Sequence, residues 1–121
     1  MKILFVDDEN DITSSIKIGL AKNGFDVDGY IDPQKALDDF KPNVYDLSII
    51  DVRMSKMNGF ELCREIKKKE GNAKICFMTA FEIYYDEFKK VFPTINVQCF
   101  IRKPISLADL VSHIKTELNL S

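Results

Sequence analysis

With 121 residues, 45% of them hydrophobic and 30% charged, the chain is sized and composed for one domain, residues 1–121, with a core that needs no covalent staples; no second or output domain is expected. Its 17 basic and 19 acidic residues leave a formal charge of −2, which excludes binding to nucleic acid or an anionic membrane by bulk charge. The three cysteines, Cys63, Cys76 and Cys99, stand in apolar stretches without CxxC or Cys/His spacing, so reduced thiols are expected rather than a zinc site or a disulfide framework. No signal-peptide pattern follows Met1 and no apolar run approaches membrane-spanning length, so the expected compartment is the cytoplasm.

In chain order, Lys2 to Val6 (KILFV) reads as a buried strand that stops at the acidic cluster Asp7-Asp8-Glu9-Asn10-Asp11. Asn10 or Asp11 is positioned to cap a helix whose Ile12, Ile16 and Leu20 share one face and which ends at Asn23-Gly24. Phe25 to Tyr30 is the second strand. Asp32-Pro33 opens a short helix with Ala36, Leu37 and Phe40 inward, closed by Pro42 and Asn43.

The third strand, Leu47 to Ile50, delivers Asp51 to a rim and is followed by a loop ending in Asn58-Gly59. Phe60, Leu62, Cys63 and Ile66 then carry a helical repeat back across the sheet. Lys74 to Met78 forms a fourth strand ending at Thr79-Ala80, and Phe81 to Phe92 reads as a fourth helix stopped by Pro93. Tyr84 or Tyr85 on that helix is a candidate for an exposed partner or homodimer surface. Val97 to Ile101 is the fifth strand, running into Arg102-Lys103-Pro104, and Ser106 caps a last helix with Leu107, Leu110, Val111, Ile114 and Leu118 at helical spacing. His113 lies on that helix away from the rim and is assigned no role.

Five strands alternating with five helices imply an α/β fold, an open, doubly wound parallel sheet covered on both faces. Ligands of such sheets bind beyond the carboxyl ends of the strands, where this chain presents Asp7, Asp8, Asp51, Thr79 and Lys103. Three neighbouring carboxylates repel unless a proton or a cation joins them, and all-oxygen ligands suit Mg2+ better than zinc. With a hydroxyl and an ammonium opposite, the set suits a phosphoryl group, for which Asp51 is the nucleophile.

These residues, together with the MSKMNG that follows Asp51, Thr79-Ala80, Phe100 and Lys103-Pro104, resemble the receiver domain of two-component response regulators, of the single-domain chemotaxis type, across nearly the whole chain. The resemblance implies strand order 2-1-3-4-5. It also implies that Asp51 accepts a phosphoryl group from a histidine kinase or phosphotransfer protein. Asp8, Asp51 and the backbone carbonyl of Arg53 would ligate Mg2+, with Asp7 acting through water. Lys103 would pair with a phosphoryl oxygen beside a cis bond to Pro104, while Thr79 and Phe100 would move as the switch. The change would be read by a downstream protein, or by a second copy of the chain, on the face made by the fourth helix, fifth strand and last helix. The chain would catalyse its own phosphoryl transfer and dephosphorylation without being a turnover enzyme.

It departs from the family pattern at Ser55, where a proline is common, at Phe100 in place of the more frequent tyrosine, and at Thr94-Ile95-Asn96 before the fifth strand. Three other readings compete. A flavin carrier would need a glycine- and hydroxyl-rich loop where DDEND stands. An aspartyl-phosphate phosphohydrolase would carry a second acid at the position of Arg53. A receiver-fold scaffold that binds partners without phosphorylation would not need the full acidic and lysine set.

Overall fold

The computed structural model describes residues 1–80 and 99–120. The helix expected over 81–92, with the Tyr84 and Tyr85 surface and the start of the fifth strand at 97–98, lies outside the described residues.

Five strands, β1 (Lys2–Val6), β2 (Asp26–Tyr30), β3 (Leu47–Asp51), β4 (Ile75–Thr79) and β5 (Cys99–Arg102), pair in parallel in the order β2-β1-β3-β4-β5. The described helices are α1 (Asn10–Lys22), α2 (Pro33–Asp39), α3 (Gly59–Lys69) and a last helix, Leu107–Glu117. The strand pleat sorts the core into two layers. Leu4, Val6, Ile50, Ile75 and Phe77 pack under α2 and α3 with Ala36, Leu37, Leu62 and Ile66. Ile3, Phe5, Leu47, Ile49, Cys76, Met78, Cys99 and Ile101 pack under α1 and the last helix with Leu20, Leu110 and Ile114. Both faces of β3 and β4 are buried along their whole length, which is why those segments read as unbroken apolar runs.

Three helices begin as their sequences dictate. Asp32, Asn58 and Ser106 each accept a hydrogen bond from a backbone N–H of the first turn, at Gln34, Glu61 and Asp109 respectively. Helix α1 differs from expectation. Asn10 is already helical and the cap position is Glu9, whose side chain makes no cap bond. The reason lies one step earlier, where the Asp7 carboxylate accepts from the Glu9 N–H at 3.0 Å and closes the turn itself. At the other end of α1, Gly24 adopts φ 89°, a left-handed conformation that glycine takes without a Cβ penalty.

The expectation of three reduced thiols is corrected. Cys76 and Cys99 are bonded to each other, and only Cys63 is free. Spacing along the chain could not reveal this, because the two cysteines become neighbours only through the pairing of β4 with β5.

Candidate functional site

The register of the sheet assembles the site. Val6 pairs with Ile50, so Asp7 follows at the level of Asp51; Asp51 pairs with Met78 and Thr79 with Arg102, so Lys103 arrives one residue later at the same rim. Pleat parity does the rest. Asp7, Asp51 and Lys103 continue the series 3-5, 47-49 and 99-101, whose side chains lie on the α1 side of the sheet.

The Lys103 ammonium lies 2.6 Å from Asp7 Oδ2, 3.5 Å from Asp51 Oδ1 and 4.0 Å from Glu9 Oε1. Asp7 has no exposure and Asp51 only 6%. Each is supported from behind. The Thr13 hydroxyl, itself buried, donates to the Asp7 carbonyl at 2.7 Å, and the Val52 N–H donates to the Met78 carbonyl at 2.9 Å, which holds the chain in the sheet one residue past Asp51. The Lys103 N–H donates to the Thr79 carbonyl at 2.8 Å, joining the ends of β4 and β5, and the Lys103–Pro104 bond is cis.

Oxygen atoms of Asp7, Asp8 and Asp51 lie within 4.8 Å of one another, a spacing one cation could span. The donor set is all oxygen and partly open, since Asp8 is half-exposed, and that fits a hard divalent ion that keeps some of its water. Burial pushes the Asp51 carboxyl up to about 6, and the negative charge of Asp7 adds to the shift; Lys103 opposes both without cancelling them, and Asp8 contributes a smaller upward push. Burial alone would lower Lys103. Its hydrogen bond to Asp7 and the charges of Asp51, Asp7 and Glu9 reverse the sign, so it is held above its ordinary value. A cation set among the carboxylates would relieve the repulsion that Lys103 only partly offsets.

The loop after Asp51 carries two features that sequence reasoning passed over. Gly59, read as half of a turn, is the first residue of α3, and a Cβ there would stand 2.3 Å from the carbonyl oxygen of Asp51. The glycine is required by close approach of the helix to the backbone of Asp51. At Ser55 the backbone N–H donates to Asp8 Oδ2 at 3.0 Å, a hydrogen bond that a proline could not make. Thr13 was also missed. Its only sequence signal was a hydroxyl on the inward side of an otherwise apolar helical stripe.

Thr79 is buried at the end of β4. Phe100 is half-buried on the opposite face from Cys99 and Ile101, its ring centre 5.5 Å from that of Phe77, which in turn meets Phe60 edge-on at 4.9 Å. Arg53 is exposed in the loop, and His113 is exposed on the last helix. No described helix is long and apolar enough to cross a membrane.

Comparison with known proteins shows the family and the fold. The sequence matches the response regulator receiver domain family over residues 3–115, and the chain belongs to that family. It is 30% identical over 117 residues to the response regulator ArlR of Staphylococcus saprophyticus, an alignment covering 97% of this chain and 52% of that protein. The chain thus spans about half the length of the curated relatives it matches. Among solved structures, the CheY-like receiver domain protein of Methanospirillum hungatei superposes with a TM-score of 0.85 at 25% identity, covering 98% of this chain and 93% of that one. The response regulator TrrA of Thermotoga maritima, solved in complex with Mg(2+)-BeF, superposes with a TM-score of 0.80 at 29% identity, covering 97% and 98%.

Proposed function

We propose that residues 1–121 form one receiver domain that is phosphorylated on Asp51 in a Mg2+-dependent reaction and signals through protein contacts. The observation that carries this reading is the buried Asp51 carboxylate, 3.5 Å from Lys103 and within one cation's span of Asp7 and Asp8. The donor is a phosphohistidine on a histidine kinase or phosphotransfer protein. An Asp51 oxygen attacks phosphorus as the phosphorus–nitrogen bond of the donor breaks, which leaves an acyl phosphate on Asp51.

Asp8, Asp51 and the Arg53 carbonyl would hold Mg2+, with Asp7 acting through water. The ion supplies neutralisation of the phosphoryl oxygens, in keeping with the Mg(2+)-BeF complex of TrrA. Lys103 turns from Asp7 toward a phosphoryl oxygen, and Thr79 donates its hydroxyl to another. Phe100 then follows into the space behind Thr79. The face made by the segment 81–92, β5 and the last helix carries the change to a downstream protein or a second copy of the chain. Water later hydrolyses the acyl phosphate, so the domain catalyses its own transfer and reset and has no turnover substrate. The setting is the cytoplasm, and neither nucleic acid nor membrane is bound directly.

Intact-protein mass spectrometry after incubation with acetyl phosphate tests this, with and without Mg2+, for the wild type and Asp51→Asn. One acid-stable, base-labile phosphoryl group on the wild type alone, formed only with the metal, is the expected result. No adduct at short times and low temperature would leave a phosphorylation-independent scaffold as the better account. Continuous release of phosphate from an ester would favour a phosphohydrolase.

A further inference from the structure

A second group of ligating side chains, two of them buried, lies toward the other end of the sheet. Cys76 and Cys99 are register partners on adjacent parallel strands, 1% and 5% exposed, and both face the layer under α1 and the last helix. Their Cα atoms are 4.6 Å apart and their sulfurs are bonded. Neighbouring strands run about 4.8 Å apart, and a disulfide spans Cα separations of about 4.4–6.8 Å. The register therefore brings the two thiols into bonding range with no backbone movement. A carboxylate oxygen of Glu117 lies within 4.8 Å of both sulfurs, while the backbone carbonyl of Glu117 accepts from Lys74 Nζ at 3.0 Å and anchors the last helix beside them. Cys63 belongs to the opposite layer, where burial pushes its thiol up to about 11, so it stands outside this chemistry.

What the bond connects gives it consequence. Among the described residues, strand β5 (Cys99–Arg102) is at the edge of the sheet and pairs with β4. Phe100 follows Cys99 directly, Thr79 stands three residues after Cys76, and Lys103 four after Cys99. A covalent link at Cys99 restrains the strand that carries Phe100 and runs into Lys103, and ties it to the strand that ends at Thr79. Two thiols and one carboxylate would also attract zinc, but zinc takes four ligands and thiolate sulfur, and here the sulfurs are bonded to each other.

We infer that Cys76 and Cys99 form a redox modification site, a thiol pair whose closure ties β5 to β4 and alters the receiver's switching. The thiol chemistry stands by itself; its link to switching rests on the phosphorylation reading above. The oxidant is a low-molecular-weight disulfide. One cysteine thiolate attacks it and releases the first small thiol, then the second cysteine attacks the mixed disulfide and releases the other. The protein loses two protons and two electrons, and the small disulfide is reduced to two thiols. Both cysteines are buried, out of reach of a small disulfide, so exchange is slow and follows opening of the sheet edge.

The test holds the full chain in buffers of reduced and oxidised glutathione, then quenches, unfolds, alkylates with iodoacetamide and counts adducts by mass spectrometry. Three alkylated thiols are expected in reducing buffer. In oxidising buffer one is expected, on Cys63, with the Cys76 and Cys99 peptides linked. The lifetime of the phosphoryl group added by acetyl phosphate should differ by about fivefold between the two states, a difference absent from Cys99→Ser and kept in Cys63→Ser. Three thiols at every glutathione ratio, or glutathione held on one cysteine without a linked peptide, would overturn the site. Thiols protected by added Zn2+, with no disulfide in oxidising buffer, would reassign the pair to metal. Equal phosphoryl lifetimes would overturn the link to switching. If neither state accepts a phosphoryl group while the linked peptide forms, the phosphorylation reading fails and the thiol site stands. The restraint is then judged by hydrogen exchange, with β5 amides expected to exchange more slowly when oxidised.

Discussion

The sheet carries a lysine among carboxylates at both of its ends, in opposite surroundings. At the amino ends of the strands, Lys2 Nζ lies 3.2 Å from Asp26 and 3.5 Å from Asp28, while its backbone N–H donates to Asp46 at 2.8 Å. At the carboxyl ends, Lys103 meets Asp7 and Asp51 at 2.6 and 3.5 Å. The charges are alike, but the environments differ. The side chains of Lys2, Asp26 and Asp28 are 32%, 70% and 39% exposed, against 12%, 0% and 8% for Lys103, Asp7 and Asp51. Water screens the first group into an ordinary surface ion pair. The second is withheld from water, so an unbalanced charge is costly there, and a carboxylate can be held near 6. Desolvation, rather than the sum of charges, separates the buried cluster from the solvated one.

Removing the lysine from each end is the most direct way to break the comparison. Lys103→Met leaves Asp7 buried without its cation, and loss of one partner of a buried pair costs roughly 3–5 kcal/mol. Urea unfolding of the metal-free protein should read that loss, and added Mg2+ should recover part of it. A loss below about 1 kcal/mol would mean that the rim is as well solvated as the other end.

A change of opposite sign is expected at Asp51. Burial raises its folded pKa from an ordinary 3.8 to about 6, so the folded state binds the proton more tightly than the unfolded one. Stability therefore falls as pH rises from about 4 to about 6 and stays lower above that range. Asp51→Asn removes this burden, and at pH 7.5 without Mg2+ it should be more stable than the wild type by on the order of 2 kcal/mol. The gap should close below pH 4. A neutral or destabilising substitution at pH 7.5 would contradict the desolvation argument.

The smallest effect belongs to the amino end. Lys2→Met should leave phosphorylation by acetyl phosphate unchanged and shift the melting temperature less than either rim substitution, with the shift disappearing in high salt. A salt-insensitive loss comparable to that of Lys103→Met would erase the contrast between the two ends.

Much of this was legible before any coordinates. The strand runs and their endpoints announced an acid at Asp7, Asp8 and Asp51 and a lysine at Lys103, and the capping residues Asp32 and Ser106 were apparent from their types. Other features needed contacts that periodicity does not encode. Gly59 looked like a turn residue because its constraint comes from the backbone of Asp51, eight positions earlier. The start of α1 was misjudged because Asn10 is already helical and the Asp7 carboxylate instead holds the N–H of the cap residue, Glu9. Cys76 and Cys99, 23 residues apart, looked unpaired because their neighbourhood is created by the sheet.

The sequence by itself determined which side chains reach the strand ends and, through the two-residue pleat, which residues of one strand share a face. Tertiary structure alone decided who meets whom. The Lys103–Asp7 pair spans 96 positions, and the Cys76–Cys99 partnership depends on the register of β4 against β5. The same structure decided that one lysine cluster is dry and the other wet. Burial is a property of everything packed around a group, and a residue's own sequence neighbourhood holds little of that information.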